Sequence, residues 1–330
     1  MKFRKSITLT LCASLCGILL SGCSSQETQT FAWPLGTASP DDTVTQIFAE
    51  KFAQETDRLS NGTMKIEVYP NSTLGGDRDL LESCKDGDIP FVVQNTAPQV
   101  TFMKDLAIFD LPAVFDSLDQ VRDKVDDPVF SSLIQDVYLD GGYRLLGTAD
   151  QGFRVMTTNK KISSISDFQS QKIRTMENPY HLAFWKRLNA APTPMSFAEV
   201  YIGLQQHTID AQENPYEVIV SNRLYEQQKY VVDTNHLPHL ITLIVSEDFY
   251  QDLKPEQQAV LDEAASIAAE YAREQSDERI SEKKKVIEDS GSEFITLDEE
   301  TKEEIRKASQ PVYEMIENAV SSEIYKAYTS

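Results

Sequence analysis

An arginine at the predicted end of a strand is the residue of this sequence best suited to hold an anion. Arg174 ends the strand-like segment 172–174, and Pro179 then suits the first turn of a helix that reaches Leu188. A guanidinium at the carboxyl end of a strand points into a crevice and binds a carboxylate through two parallel hydrogen bonds, a geometry that lysine lacks. The alternative is a structural ion pair with Glu177, which the local composition favours.

Three other residues suit the same anion, and each has a structural alternative. Arg154 follows Gly152-Phe153 on a strand-like run, so it is either a second cation of a binding site or part of a salt bridge in a domain wall. Asn214 precedes Pro215, and its amide either donates to a ligand oxygen or shapes the turn. Phe197 begins a predicted helix, where its ring either packs in the core or faces a ligand.

No pattern in the sequence supports catalysis. His181, His207, His236 and His239 belong to no metal-binding motif, and the sequence contains no GxSxG elbow, P-loop or GxGxxG phosphate loop. Beyond the first thirty residues Cys84 is the single thiol, which indicates a packed side chain more than a nucleophile. We therefore expect a binding protein without cofactor or metal, and a hydrolase with an unrecognised site is the alternative.

The N-terminal thirty residues have the pattern of an export signal followed by a tether. Residues 1–22 combine a basic start with an apolar run that is too short to cross a bilayer. Leu20-Ser21-Gly22-Cys23 resembles the lipobox of bacterial lipoproteins, in which the cysteine is acylated, and the polar segment 23–30 fits a flexible tether. We expect lipid anchoring through Cys23 on the extracytoplasmic face of the cell membrane, with an ordinary secretory signal as the alternative.

The overall charge excludes one class of partner and constrains another. The 330 residues carry a formal net charge of −21. Nucleic acid is therefore not an expected partner, because phosphate binding requires a basic face. The same charge repels an anionic ligand at long range, so a carboxylate must be held by local cations inside a cleft.

Strand-like and helix-like segments alternate along the rest of the chain. This alternation indicates an α/β fold with mostly parallel strand pairing and with ligands at the strand ends. The predicted strands are 31–35, 64–69, 89–93, 143–146, 153–157, 172–174, 209–212 and 240–245, and the predicted helices include 41–59, 77–85 and 179–188.

The segment 255–289 predicts one long helix. It lacks glycine, begins with a proline that suits a first helical turn, and is followed by Gly291. At 1.5 Å per residue such a helix would be about 50 Å long, longer than one small domain is wide. It either bridges two lobes or is a broken pair of surface helices, and the periodicity leaves both open.

The segment 152–236 resembles the solute-binding proteins of TRAP (tripartite ATP-independent periplasmic) transporters, in the dicarboxylate and sugar-acid group. The similarity extends over nearly all of the chain beyond the tether. The motifs that carry it are GFRVMTTNKKI (152–162), KIR (172–174), APTPMSFAEVYIGLQ (191–205), IDAQENP (209–215) and YEQQKYVVDTNH (225–236), with shorter matches at 69–78 and 110–112.

The resemblance implies a two-lobed fold of the periplasmic-binding-protein type. Its lobes are joined by hinge strands and by a long helix that spans both, which favours the bridging interpretation of 255–289. On this basis residues 31–151 and 240–279 form lobe I, and residues 152–239 and 280–330 form lobe II.

The resemblance also implies the binding residues. The ligand carboxylate would pair with Arg174, assisted by Arg154 and Asn214, and Glu177 would accept hydrogen bonds from sugar hydroxyls. The other implied ligand contacts are Phe197, Asp77, Gln94 and Asn95.

The expected function is capture of a small organic acid and its delivery to a TRAP permease. A uronate such as glucuronate or galacturonate is the expected ligand, because polar groups accompany the carboxylate-binding arginine. The alternatives are a C4-dicarboxylate, a keto acid, or a role as the ligand-sensing partner of a membrane receptor.

Overall fold

Two β-sheets, each covered by helices, form the described part of the chain. The structure, a computed structural model, describes residues 31–330. The predicted signal peptide, the tether and Cys23 lie outside the described residues. The strands are β1 (Phe31–Gly36), β2 (Met64–Tyr69), β3 (Phe91–Asn95), β4 (Tyr143–Phe153), β5 (Val155–Thr158), β6 (Lys172–Thr175), β7 (Ala191–Pro194), β8 (Ala211–Asn214), β9 (Tyr230–Val232), β10 (Pro238–Ser246) and β11 (Glu293–Ile295).

Helices connect most of these strands and cover the faces of both sheets. The α-helices are α1 (Val44–Leu59), α2 (Asp77–Lys85), α3 (Leu118–Val125), α4 (Pro128–Gly141), α5 (Pro179–Arg187), α6 (Val200–Gln205), α7 (Tyr216–Ser221), α8 (Glu247–Gln251), α9 (Pro255–Asp289), α10 (Glu299–Ala319) and α11 (Ser322–Thr329). Short 3-10 segments lie at Ala97–Thr101, Lys104–Asp110, Ile165–Phe168, Phe197–Glu199 and Leu224–Gln227.

The first sheet has the order β2-β1-β3-β10-β4. Strand β1 runs parallel to β2 and β3, whereas β10 runs antiparallel to β3 and β4. One face packs against α1 and α9, where Phe48, Phe52 and Leu261 are fully buried. We call this sheet, with the helices packed on it, the first lobe.

The second sheet has the order β11-β9-β5-β8-β6-β7, and with its helices we call it the second lobe. Strand β6 is parallel to β7 and β8, but β5 is antiparallel to β8 and β9. Parallel pairings are two of four in the first sheet and three of five in the second, so the expected parallel pairing predominates in the second sheet and not in the first. Strands β5 and β10 each enter a sheet directly from the other lobe instead of through a crossover helix, so they run against their neighbours.

The chain crosses between the lobes at two adjacent strand connections. Strand β4 leads directly into β5, and β10 brings the chain back to the first sheet after β9. The two crossings are hydrogen bonded to each other, since Pro238 pairs with Phe153 and the Arg154 N–H donates to the Leu237 carbonyl over 2.8 Å. These paired strands join the lobes as a hinge.

Helix α9 is one continuous helix of 35 residues with the bounds that the sequence predicts. It packs against α1 and β4 of the first lobe and against α7 of the second, so the bridging interpretation is confirmed. Ala264, Ala265, Ala268 and Ala272 are fully buried, and their small side chains let the helix approach the first lobe closely.

The predicted start of the first helix is wrong by three residues. Asp42 has a left-handed backbone with φ of 57°, which a helix excludes, and Thr43 is the N-cap whose side chain accepts from the Gln46 N–H. A similar shift occurs at β3, which begins at Phe91 because Pro90 cannot donate to a strand ladder.

The C-terminal helices contact both lobes. Helix α10 packs against α5 of the second lobe and against Lys104–Asp110 of the first, and α11 packs against α4 of the first. The Tyr328 ring lies between 5.1 and 5.8 Å from the rings of Phe109, Phe115 and Phe130. The lobe boundaries drawn from the sequence stay a prediction, and these contacts join residues 322–329 to the first lobe.

Candidate ligand-binding site

A cavity lies between the lobes and collects most of the predicted site residues. Its volume is about 40 Å³, and a neighbouring cavity of about 210 Å³ shares Asp77, Arg174, Met176 and Phe197 with it. The first cavity is lined by Ala38, Ser39, Pro40, Asp77, Asn95, Arg174, Met176, Phe197, Asn214, Val218 and His239. Both lobes therefore contribute to its wall, and the two cavities together form one inter-lobe site.

Arg174 is a buried cation whose side chain is held by a carbonyl and not by an acid. It lies on β6, is 2% exposed, and donates from Nε and Nη2 to the Met195 carbonyl at 3.1 and 2.8 Å. Among residues 31–330 no carboxylate lies within 4.0 Å of its guanidinium, and Nη1 has no hydrogen-bond partner there. Glu177 is exposed, so the alternative of an Arg174–Glu177 ion pair is wrong.

The electrostatic environment makes Arg174 a strong site for an anion. Burial lowers the pKa of Arg174 to about 10, Glu213 opposes this effect, and Arg154 adds to it. The guanidinium remains protonated at neutral pH, but its charge is desolvated and poorly compensated. The Phe197 ring lies with its centroid 5.8 Å from Arg174 Cζ and covers one side of the cation.

Arg154 is also buried, but its donors are occupied by protein. It is 1% exposed and forms a forked ion pair with Glu213, with Nε–Oε2 at 2.5 Å and Nη2–Oε1 at 2.8 Å. Its remaining contacts are the Glu213 carbonyl at 2.6 Å, the Asn214 side-chain oxygen at 3.1 Å and His239 Nδ1 at 2.5 Å. Arg154 lines neither cavity, and its contact with the ligand stays a prediction.

Glu213 connects this network to the hinge. Burial alone would raise the pKa of Glu213, but Arg154 and His236 bring it far below the ordinary value. His236 Nε2 lies 3.0 Å from the Glu213 carboxylate, and the imidazole stacks on the Phe184 ring at 5.3 Å. Glu213 is therefore a carboxylate whose charge is balanced inside the protein.

His239 lines the cavity and was not identified as a site residue from the sequence. Its Nδ1 contacts Arg154, which can only donate, so Nδ1 accepts and the neutral ring carries its proton on Nε2. Burial lowers the pKa of His239 well below its ordinary value, and Arg154 adds to the effect. No motif marks this histidine, which lies at the irregularity between Pro238 and Leu240 in the pairing of β10 with β4.

Asp77 places an acidic group opposite Arg174. It is the first residue of α2, is partly buried, and lines both cavities. Burial raises the pKa of Asp77 to about 6, while Arg174 opposes this rise and Glu177 adds to it. The site thus combines a cation and a titratable carboxyl on facing walls.

The amide side chains of Asn95, Asn214 and Gln94 differ in their position and in which of their atoms are already hydrogen bonded to protein. Asn95 lines the cavity but donates to the Leu240 carbonyl and accepts from the Ala97 N–H, at 2.7 and 3.0 Å. Asn214 also lines it, while its Nδ2 donates to Gln212 over 2.6 Å. Gln94 lines neither cavity, although its amide atoms are buried without a partner among residues 31–330.

Comparison of the sequence with known protein families identifies the family of this chain. A family model described as bacterial extracellular solute-binding protein, family 7, matches residues 35–319. This chain belongs to that family. A solute-binding protein of Verminephrobacter eiseniae is 31% identical over 234 residues, which cover 70% of this chain and 69% of the relative.

Solved structures of a sugar acid binding protein and of TRAP periplasmic solute-binding proteins share the fold over 90–91% of this chain. The sugar acid binding protein of Advenella mimigardefordensis in complex with galactonate has a TM-score of 0.88 at 26% identity, over 91% of this chain and 97% of that one. A TRAP periplasmic solute-binding protein of Shewanella oneidensis with bound succinate has a TM-score of 0.87 at 25% identity, over 91% of this chain and 98% of that one. A TRAP periplasmic solute-binding protein of Sulfitobacter with bound β-D-galacturonate has a TM-score of 0.86 at 26% identity, over 90% of this chain and 99% of that one.

Membership of family 7 confirms two predictions. The resemblance to the solute-binding proteins of TRAP transporters is confirmed, and the protein is an extracytoplasmic binding protein and not an enzyme. Within residues 31–330 no cluster of three or more histidine, cysteine or acidic side chains could hold a metal ion. No helix in that same range is long and apolar enough to cross a membrane.

Proposed function

We propose that this protein captures a hydroxylated monocarboxylate of the sugar-acid type, with a uronate as the first choice. The observation that carries the proposal is the buried guanidinium of Arg174, which has no acidic partner within 4.0 Å among the described residues and faces a cavity. A ligand carboxylate there supplies the missing counter-charge, and Nη1 offers a free donor to it.

The rest of the site favours hydroxyl groups over a second carboxylate. A C4-dicarboxylate needs a second cation. Arg154 is already paired with Glu213 on both edges, and Arg78, which lines the neighbouring cavity, pairs with Glu82 at 3.0 Å. Asp77 would repel a second anionic group when ionised and would accept a hydrogen bond from a hydroxyl. His239 offers an Nε2–H donor to a hydroxyl or ring oxygen.

The shape of the site gives room for a chain of hydroxyls beyond the carboxylate. The cavity of about 40 Å³ at Arg174 holds little more than the carboxyl end of a ligand. The neighbouring cavity of about 210 Å³ continues past Phe197 to Glu177 and Ser196. We propose that the hydroxyl groups lie there, with Phe197 packed on the carbon chain.

The solved relatives support an organic acid and allow more than one. The proteins of Advenella mimigardefordensis and Sulfitobacter hold galactonate and galacturonate, and that of Shewanella oneidensis holds succinate. The choice among these acids rests on Arg174, which has no acidic partner within 4.0 Å among residues 31–330, and on Asp77.

A titration against four acids tests the proposal. We expect heat of binding in isothermal titration calorimetry with D-galacturonate or D-galactonate, and none with succinate or pyruvate at the same concentration. Binding of succinate in preference to both sugar acids would contradict the monocarboxylate assignment. Retention of binding by Arg174→Ala would contradict the role of that arginine.

We also propose that the protein is anchored by lipid at Cys23 and supplies a TRAP permease. Support comes from the Leu-Ser-Gly-Cys sequence before the tether and from the family of the chain. Metabolic labelling with an alkyne palmitate should mark the protein and not Cys23→Ser, and an unlabelled protein would contradict the anchor. Uptake of the bound acid into vesicles that contain a TRAP permease should require the protein, and uptake without it would contradict delivery.

A further inference from the structure

Glu217 makes three polar contacts with other elements, among them a contact between the lobes, outside the binding cavity. It lies on α7 of the second lobe, is 4% exposed, and is not among the residues that line the cavity. Its Oε2 accepts from the Val44 N–H and from Gln151 Nε2, both at 2.8 Å, and its Oε1 accepts from Arg279 Nε. One carboxylate therefore joins α7 to α1, to the hinge strand β4 and to α9.

The bond to Val44 completes the N-terminus of a helix in the other lobe. Thr43 caps α1 by accepting from the Gln46 N–H, so the first helical N–H, that of Val44, needs another acceptor. Glu217 supplies it, and its negative charge also suits the positive end of the helix dipole. Because Val44 belongs to the first lobe and Glu217 to the second, this bond exists only while the lobes are together.

A second set of contacts holds the loop before α1 in the same place. Asp42 accepts from Arg279 and Lys283 of α9 through its carboxylate, and the Ser221 hydroxyl of α7 donates to its carbonyl over 2.9 Å. Burial by itself would raise the pKa of Asp42. Lys283 and Arg279 together outweigh burial and lower this pKa below its ordinary value. The left-handed backbone of Asp42 is uncommon for a non-glycine residue, and these contacts keep it in place.

We call these contacts of Glu217 and Asp42 the latch, and it borders the binding cavity on both sides. Ser39 and Pro40, which line the cavity, lie three and two residues before Asp42, and Val218, which also lines it, follows Glu217. We propose that Glu217 is a positioning residue for ligand capture. It holds the 38–44 segment of the first lobe against α7, closes the wall of the cavity, and slows release of the ligand without touching it.

Two substitutions remove the same bond from opposite ends. Glu217→Gln removes the charge, and Val44→Pro removes the N–H at a helix position that accepts proline. Thr43 has φ of −123° and ψ of 156°, a conformation that a following proline permits. Val44→Ala controls for lost packing, and Glu55→Gln is the matched glutamate control, since Glu55 is 5% exposed but pairs only with Lys51 and Arg58 of its own helix.

The first measurement does not depend on the identity of the ligand. Hydrogen exchange at the Val44 amide of the ligand-free protein should be about 10-fold faster in Glu217→Gln than in the wild type, because a charged acceptor is lost. Glu55→Gln should keep the wild-type rate. Unchanged exchange in Glu217→Gln would overturn the proposal.

The second measurement rests on the proposed function, because it uses D-galacturonate as the probe. Stopped-flow dissociation should be about 10-fold faster in Glu217→Gln and in Val44→Pro, with association little changed and Val44→Ala close to the wild type. Equal dissociation rates in Val44→Pro and Val44→Ala, with a wild-type rate in Glu217→Gln, would overturn the latch. Failure of the wild type to bind D-galacturonate would instead overturn the proposed ligand, and the exchange measurement then decides the latch.

Discussion

Arg174 and Met195 are joined by two hydrogen bonds to one carbonyl oxygen, from Nε at 3.1 Å and from Nη2 at 2.8 Å. A neutral carbonyl orients the guanidinium without cancelling its charge, which an acidic partner would do. Burial then leaves the cation with a deficit of solvation that a ligand carboxylate can relieve. The pair therefore fixes the direction of the arginine and keeps its charge available.

Arg174→Lys should weaken binding of D-galacturonate severely, and Arg174→Ala should abolish measurable binding. Lysine cannot donate two parallel hydrogen bonds while also bonding to Met195, and loss of one partner of a buried ion pair costs about 3–5 kcal/mol, or roughly a 10²–10³-fold loss of affinity. Titration calorimetry with D-galacturonate measures this loss of affinity. Arg144→Lys is the control, because Arg144 pairs with Glu247 and does not line the cavity. Equal affinity in Arg174→Lys and the wild type would contradict the assignment.

Arg154→Lys should reduce stability more than it reduces affinity. Arg154 holds Glu213 through both edges of its guanidinium, and lysine cannot keep that fork. Urea unfolding should show a loss of about 2–4 kcal/mol, since Glu213 is left poorly paired in the interior. Titration with D-galacturonate should show a smaller loss than for Arg174→Lys. A larger loss of affinity than for Arg174→Lys would mean that Arg154 contacts the ligand directly, as the sequence resemblance implies.

Asp77→Asn should remove a pH dependence of stability in the ligand-free protein. The pKa of Asp77 is raised by burial to about 6, from an ordinary value of 3.8. A raised pKa means that the folded protein holds the proton more tightly, so the associated stability is present below pH 3.8 and is lost as pH rises through about 6. Relative to Asp77→Asn, the wild type should lose about 1 kcal/mol between these pH values, discounted for partial exposure.

Urea unfolding of both proteins at pH 4 and pH 7 measures this difference. Asp88→Asn is the control, because Asp88 is an exposed acid three residues beyond the end of α2. A constant difference between wild type and Asp77→Asn at the two pH values would show that Asp77 has no raised pKa.

Gly152→Ala should destabilise the protein more than Gly87→Ala does. Both glycines have a left-handed backbone, with φ of 83° and 82°, so alanine costs about 1 kcal/mol at either position. At Gly152 an added Cβ would also lie 3.1 Å from Cδ1 of Ile280, whereas nothing lies within 4 Å at Gly87. Urea unfolding should separate the two variants, and Ile280→Val should restore part of the loss in Gly152→Ala. Equal losses at both sites would exclude the clash.

Local patterns in the sequence determined the elements and the type of chemistry. The bounds of α9 follow from a proline at its start, a glycine-free run and a glycine after its end, all of which act on the helix where they occur. Strand β6 places Arg174 near its carboxyl end for a similarly local reason. The strand directions at the hinge were not predictable in this way, because they depend on which lobe each strand enters.

The tertiary structure alone decided how the charges are shared. The sequence offers Glu177, three residues away, as the partner of Arg174, but the chain turns that side chain outward and brings the Met195 carbonyl, 21 residues away, to the guanidinium. Arg154 meets Glu213 across 59 residues, and Glu217 meets Val44 across 173. Propensity and periodicity describe neighbours along the chain, whereas a buried charge is satisfied by whichever polar group the packing of distant elements brings within reach.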